Sequence, residues 1–263
     1  MSTLSYALTD SATMLRRNMR HMLRYPSMTL LILGMPVVFL LLFVYVFGGT
    51  LGAGLAGVTG GRAAYASYVA PGILLITVAA VAQGTAISVA TDMTEGIVAR
   101  FRTMAIWRAS VLAGHVLGST IQSVLSLAVV IGIALLTGFR PTAGALGWLA
   151  ALGILVMTSF ALTWLSVGLG LAAKTIETAS NSPMFLLLLP FLSSAFVPTS
   201  SMPAGLRWFA EYQPFTPVID TLRALLSGRP VGSNAVIAVA WCAGVTLVSY
   251  VWAIRLFNRH PAR

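Results

Sequence analysis

Residues 65–91 read YASYVAPGILLITVAAVAQGTAISVAT, an uninterrupted run without Asp, Glu, Lys or Arg. A helix needs about 20 apolar residues to cross the hydrocarbon core of a bilayer, and this run exceeds that length. Pro71 lies inside the run, and neighbouring helices can satisfy the carbonyl that a proline frees inside a membrane. The stretch therefore predicts a transmembrane helix.

The rest of the chain has the same character. Of its 263 residues, 58% are hydrophobic and only 8% are charged, whereas soluble domains carry about 25% charged residues. A water-soluble domain of this length could not bury so much apolar surface. The sequence predicts six transmembrane helices, at 28–47, 65–91, 109–137, 143–172, 178–198 and 233–256.

The basic residues predict how the spans are oriented. The formal net charge of +10 is not a nucleic-acid signal, because the basic residues sit at the ends of apolar runs and form no separate face. Eleven of the 16 basic residues fall on one side of a six-span topology, so both termini are predicted to be cytoplasmic. Those eleven are Arg16, Arg17, Arg20, Arg24, Arg100, Arg102, Arg108, Lys174, Arg255, Arg259 and Arg263.

Residues 1–26 predict an amphipathic helix on the cytoplasmic leaflet. Leucines and methionines recur there at helical spacing, and the basic residues are Arg16, Arg17, Arg20 and Arg24. Such a helix binds an anionic membrane surface through its basic face. A cleaved signal peptide fits poorly, because its apolar region is only about 7–15 residues long and the first run here is near 20.

The connections on the predicted outer side differ in length and character. Residues 48–64 are rich in glycine, whereas residues 199–232 contain two apolar helical patterns with Pro203, Pro214 and Pro217 predicted to break them. A loop this apolar is expected to fold back into the outer leaflet or to cover a cavity.

Several function classes fit the sequence poorly. No charged residue lies in the middle of a span, which disfavours an ion-coupled pump, although sodium held by hydroxyls and carbonyls stays possible. His115, near the cytoplasmic end of its span, is predicted to face neighbouring helices. It shares a helix face with Ser119, but no GxSxG motif accompanies them. The single cysteine, Cys242, is predicted to pack within its span.

One stretch is similar to a nucleotide-binding loop but lacks a residue that the motif requires. Residues 168–175 read GLGLAAKT, in which Ala173 replaces the second glycine that the phosphate-binding turn requires. The stretch also ends an apolar helix, whereas the motif should follow a strand. Lys174 is better explained as an anchor at the membrane interface. The chain is therefore predicted not to be an enzyme, and its energy source is expected to lie elsewhere.

The loop at 92–108 predicts a docking helix for a cytosolic partner. Asp92 and Glu95 have the spacing of a capping box, and an apolar edge with flanking arginines follows. A plain connector needs no such edge, although an interfacial helix held only by lipid is the alternative. The residues assigned to this coupling element are Asp92, Glu95, Gly96, Arg100, Phe101, Arg102 and Arg108.

Four stretches carry a resemblance to a known family. They are PVVFLLLFVYVFGG at 36–49, Tyr68 to Gly72, the 92–108 loop, and the segment from Phe191 to Arg223 with its Phe-Val-Pro and Gln-Pro elements. In these the chain resembles the permease subunits of ATP-binding-cassette type-2 exporters of the daunorubicin/doxorubicin-resistance branch. One departure is Ala105, where similar sequences often have proline.

The resemblance implies an all-α permease in a bacterial plasma membrane. Its single domain, 1–263, would comprise an interface helix (1–26), six spans (27–257) and a cytoplasmic tail (258–263). It would pair with a second copy or a close paralogue and with a separate cytosolic ATPase, which would hold ATP and Mg, so this chain itself needs no cofactor. The outer re-entrant helices would carry Pro203, Glu211, Pro214, Pro217, Asp220 and Arg223.

The substrate implied is an amphipathic drug, antibiotic or lipid. Few polar residues can line a route between two copies, and the candidates are Gln83, Gln122, Ser123 and Asn181. A type-2 permease that exports a lipid or glycan would share every motif. An ATP-independent channel or secondary carrier is the alternative from another class.

Overall fold

The protein is described here by a computed structural model that covers residues 26–50, 61–96 and 108–259. Within these ranges every regular element is helical, which confirms the all-α class, and five helices are long and apolar enough to cross a membrane. The α-helices are α1 (Pro26–Leu41), α2 (Gly61–Thr94), α3 (Arg108–Leu136), α4 (Ala145–Ala172), α5 (Ile176–Asn181), α6 (Met184–Leu188), α7 (Ala204–Tyr212), α8 (Phe215–Leu226) and α9 (Asn234–Arg259).

Helix α2 lies at the centre of the bundle. Every residue from Val69 to Ala82 is buried, and α2 packs against α1, α3 and α4. By contrast, α9 exposes Val236, Leu247 and Val248, which is the pattern of a helix that faces lipid. The long uncharged run at 65–91 is thus one that other helices surround.

Contacts between helices fix their directions. Thr85 of α2 bonds to Ser119 of α3, and Asp92 lies beside His115, so these two helices are antiparallel. On α4 and α9, Thr158 lies near Cys242 and Gly168 abuts Trp252. The second contact lies ten residues beyond the first on both helices. Helices α4 and α9 therefore run in the same direction. The chain must therefore return across the bundle between residues 172 and 234.

This return is made by a broken segment, residues 176–194, where the sequence predicts a transmembrane helix at 178–198. It consists of α5, α6 and a 3-10 turn at Leu189–Leu192. Gln83 donates a hydrogen bond to Ser180 O at one end, and Tyr68 donates one to Ser194 O at the other. These two α2 residues are 15 positions apart, or about 22 Å at 1.5 Å per residue. The broken segment therefore covers most of a hydrocarbon core of about 30 Å.

The predicted outer segment is helical, with one correction. Pro203 and Pro214 immediately precede α7 and α8, but Pro217 lies within the first turn of α8. The prediction that Pro217 breaks a helix is wrong, because the first turn has no intrahelical acceptor for the N–H that proline lacks. Helix α8 buries Val218 and Leu222 against the bundle.

Helix α7 behaves differently from α8. Its Leu206, Trp208 and Phe209, which form the apolar face of the pattern in the sequence, are 40%, 66% and 39% exposed. Trp208 and Tyr212 lie side by side on this surface, with ring centroids 5.5 Å apart. Exposed aromatic residues of this kind are typical of the membrane–water interface.

Candidate functional site

A polar cluster joins three elements on the predicted outer side, and we call Tyr68, Ser194, Asp220 and Arg223 the outer cluster. Arg223 Nη1 donates to Asp220 Oδ1 at 2.8 Å, and Ser194 Oγ donates to the same oxygen at 2.7 Å. Arg223 Nη2 donates to Ser194 O at 2.7 Å. One guanidinium therefore holds a carboxylate of α8 and a carbonyl at the end of the broken segment.

The same guanidinium also contacts the central helix. Its carbon lies 4.0 Å from the centroid of the Tyr68 ring, which is close enough for a cation–π interaction. Tyr68 Oη donates to Ser194 O at 3.1 Å. The outer cluster thus ties α8 and the broken segment to α2.

Burial sets the electrostatics of the outer cluster. The Arg223 side chain is 14% exposed and that of Asp220 is 30% exposed. Desolvation lowers the pKa of the Arg223 guanidinium, and the neighbouring Tyr68 and Asp220 act in the opposite direction. A guanidinium ionises so far above neutral pH that it stays charged, so Arg223 keeps its positive charge at physiological pH.

Gln213 explains how the broken segment is tolerated. Its Nε2 donates to Leu189 O at 3.1 Å and to Leu192 O at 2.8 Å, two carbonyls in the 3-10 turn. A break in a helix leaves carbonyls without their usual donors, and an unsatisfied polar group in a membrane is costly. Of the other outer residues predicted from the sequence, Pro203 and Glu211 are exposed.

A second buried pair lies at the opposite end of α2. Asp92 Oδ2 is 3.1 Å from His115 Nε2, and each residue is 8% exposed. The sequence predicts that Asp92 caps the start of the coupling helix. That prediction is wrong, because Asp92 lies inside α2. Gly96, at φ +70°, follows the end of α2 in a conformation that glycine adopts without strain.

Most of the predicted coupling and interface residues lie outside the described residues. These are Arg16, Arg17, Arg20, Arg24, Arg100, Phe101 and Arg102. Arg108 is the first residue of α3, but its side chain also lies outside the description, and Glu95 is exposed just after α2. The structure therefore places the two ends of the predicted coupling element and not its middle.

The candidate route residues are not joined by hydrogen bonds within the part of the chain that the structure describes. Gln83 Nε2 is bound to Ser180 O at 2.8 Å, which is a contact between helices of one chain. Ser123 is fully buried, Gln122 is half-buried and Asn181 is exposed. Gln83 therefore contributes to packing, and a route through these four residues stays a prediction.

The glycines of the nucleotide-loop near-match serve helix packing. A Cβ on Gly170 would lie 2.6 Å from Ala86 O, and one on Gly168 would lie 2.5 Å from the Trp252 ring. These glycines allow α4 to approach α2 and α9 closely. Ser119 is likewise a packing residue, since its Oγ lies 2.7 Å from Thr85 Oγ1. Among the described residues, no cluster of His, Cys, Asp or Glu could hold a metal ion.

We call Asp92 and His115 the inner pair. The outer cluster and the inner pair differ in how readily each could be predicted from the sequence. Asp220 and Arg223 are three residues apart on a helical pattern, a spacing at which opposite charges meet, so the pair could have been predicted. Asp92 and His115 lie on different helices, 23 residues apart. No local signal connects them.

Comparison with known proteins agrees with the resemblance found in the sequence. Residues 10–226 match the family described as ABC-2 type transporter. The daunorubicin resistance ABC transporter permease protein DrrB1 of Streptomyces coeruleorubidus is 29% identical over 257 residues, covering 97% of this chain and 88% of that protein. A probable doxorubicin resistance ABC transporter permease, DrrC of Mycobacterium tuberculosis (strain ATCC 25618 / H37Rv), is 25% identical over 166 residues, covering 63% of this chain and 60% of that protein.

Proposed function

This chain belongs to the ABC-2 type transporter family, and from that premise we propose that it exports an amphipathic small molecule with energy from a separate ATPase. The family match carries the proposal, because it spans the predicted coupling element and the outer helices alike. The names of the two relatives favour a drug or antibiotic as the substrate. We place the protein in a bacterial plasma membrane with both termini cytoplasmic.

The coupling element is proposed to receive the motion of the ATPase. Residues 97–107 connect the end of α2 to the start of α3, and the Asp92–His115 contact lies close to both ends of this connection. A displacement of the connection would therefore move the two helices together. Buried, hydrogen-bonded pairs resist separation, since each group would lose a partner that water does not replace.

Helix α2 is proposed to carry this motion across the membrane. Asp92 and Tyr68 are 24 positions apart on the same helix, which corresponds to about 36 Å. One end contacts His115 and the other contacts the outer cluster. A shift of α2 would then reach α8 and the broken segment without any other connection. In the proposed cycle, ATP binding closes the ATPase dimer and the two permease copies open outward.

The decisive experiment combines the purified permease with its proposed partner, a separate ATPase. Phe101→Ala removes an apolar side chain, Arg102→Ala removes a charge, and Arg100→Glu reverses one. Buried aromatic residues dominate interface energies, whereas charges at a rim mainly steer association. We expect Phe101→Ala to weaken complex formation or export per ATP more than Arg102→Ala does, with membrane expression unchanged.

Two outcomes would count against the proposal. If Phe101→Ala leaves pull-down, ATP turnover and efflux unchanged, the 92–108 region is only a connector. If liposomes with the permease alone transport the drug as fast as liposomes with both proteins, the chain is a channel or a secondary carrier. A substrate panel that includes lipids and glycans would identify the class of cargo.

The inner pair offers an independent arm of the test. His115→Phe keeps a ring of similar size but cannot bind Asp92, so α2 and α3 should move less strictly together. We expect export per ATP to fall while ATPase binding stays normal, because the binding surface is unchanged. If His115→Phe exports as much substrate per ATP as the unmodified protein, the Asp92–His115 pair does not take part in coupling.

A further inference from the structure

A cavity of about 110 Å³ lies where α2, α4, α8, α9 and the broken segment meet. Leu75 of α2 forms its inner wall, and Phe215 of α8 lines it where the outer helices begin. Both residues are almost completely buried. Leu75 is seven positions beyond Tyr68, or about 10 Å along α2, so the cavity lies within the membrane and inward of the outer cluster.

The lining of the cavity excludes a polar occupant. Thr158 and Cys242 are its two lining residues that carry a side-chain oxygen or sulfur. The Thr158 hydroxyl donates to Ile154 O at 2.8 Å and lies 3.5 Å from Cys242 Sγ, so these groups already have partners. A cavity with such walls stays dry, because water there would lose most of its hydrogen bonds. A charged or strongly hydrogen-bonding group would be penalised in the same way.

The cavity opens sideways, toward lipid. Phe185 of the broken segment and Trp241 of α9 are its two exposed lining residues, at 45% and 42%. They come from the two elements that flank the opening. The surface of α9 near this opening is apolar, with Val239 44% exposed. A molecule dissolved in the bilayer can therefore reach the cavity without passing through water.

Size and shape favour one aromatic ring. An apolar cavity of about 150 Å³ is known to hold benzene, and this one is of similar size and open at one side. Phe185, Phe215 and Trp241 line it, and aromatic rings attract one another in edge-to-face or offset geometry. A single ring would fit, with the remainder of the molecule outside the opening.

We propose that this cavity binds an aromatic ring of an amphipathic molecule that enters from the bilayer. Ordinary lipid chains carry no ring, so the occupant is a dissolved small molecule. The inference rests on the proposed export function in one respect, which is that the bound molecule is the substrate to be exported. Ring binding itself requires neither ATP nor the ATPase, and the two proposals can fail separately.

The test uses photolabelling of the full chain in nanodiscs without ATPase. A trifluoromethyl phenyl diazirine partitions into bilayers, and mass spectrometry maps the residues that it modifies. We expect labels on Leu75 and Phe215, which are buried from lipid, and a severalfold loss of these labels when benzene competes. Labels on the lipid-facing residue Val248 should not change. n-Hexane, an open-chain hydrocarbon with the same number of carbon atoms, should compete much less at an equal concentration in the bilayer.

Two filling variants and a control complete the design. Ala161→Leu and Cys242→Leu add volume inside the cavity, and either should abolish labelling of Leu75 and Phe215. The matched change Ala243→Leu lies on the exposed side of α9 and should leave it intact. Melting curves confirm that each variant is folded, and two filling variants are made in case one is not.

Three results would overturn the inference. The first is an absence of label at Leu75 and Phe215 in the unmodified protein. The second is equal competition by n-hexane, which would show a void that any lipid chain fills. The third is undiminished labelling in a folded filling variant.

Discussion

Replacing Arg223 by Met should release the outer helices from α2. Arg223→Met keeps an unbranched apolar chain but removes the charged contacts with Asp220 Oδ1 and Ser194 O, both within 2.8 Å. It also removes the cation–π contact with Tyr68. The first loss is worth about 1.5–3 kcal/mol and the second about 0.5–1 kcal/mol. The total is about 2–4 kcal/mol, in which the two charged contacts are counted as one, because Asp220 is 30% exposed and water compensates part of the loss.

Hydrogen exchange in nanodiscs measures this change directly. Local opening governs exchange, and each 1.4 kcal/mol corresponds to about a tenfold change. Amides of α8 and of residues 193–197 should therefore exchange about 30 to 700 times faster in Arg223→Met. Peptides from the middle of α2 should be unaffected, because that part of the core stays intact.

Arg229→Met is the matched control. Arg229 is exposed, and its Nε donates to Ser227 Oγ, so its loss should change exchange by less than about threefold, as surface contacts usually contribute under 0.5 kcal/mol. The reasoning about the outer cluster fails if Arg223→Met and Arg229→Met accelerate exchange of α8 equally. It also fails if the acceleration extends to the whole bundle, since the effect would then be global unfolding.

Three further predictions concern topology, assembly and packing. On a Cys242→Ala background, an impermeant thiol reagent added to intact cells should label Leu55→Cys and not Asn258→Cys, and the reverse pattern would invert the orientation. Native mass measurement in nanodiscs should give a dimer of this chain or of it with a paralogue, and transport by a monomer would contradict that. Gly170→Leu should force α2 and α4 apart and lower the melting temperature, by the equivalent of about 1–3 kcal/mol. Gly153→Leu, where a Cβ meets open space, should have little effect, and similar melting temperatures for the two would show that Gly170 is not a packing residue.

The sequence was sufficient to locate the long helices to within a few residues. The run at 65–91 lies inside α2, and those at 143–172 and 233–256 nearly coincide with α4 and α9. The reason is that a bilayer imposes a length and an apolar composition on every span, and both can be read locally. The outer helices were also predictable, since Pro203 and Pro214 immediately precede them.

The effect of each proline inside a span was not predictable. Pro36 and Pro71 lie inside continuous helices, whereas Pro183 and Pro190 accompany the interruptions of the broken segment. Pro36, Pro71 and Pro190 have no polar residue beside them in the sequence, whereas Pro183 follows Ser182. The difference depends on distant partners, such as Gln213, which supplies donors to the carbonyls of the interrupted helix.

The capping-box spacing also misplaced Asp92, because Asp92 and Glu95 together indicate the start of a new helix. The helix continues past it, and His115 on the next helix provides a buried partner for the carboxylate. The outer cluster, the inner pair and the cavity all depend on which faces of the helices meet. Hydropathy reports how each residue interacts with its solvent, so it determines which segments enter the membrane. Only the tertiary structure determines which side chains then meet, because those contacts join residues far apart in the chain.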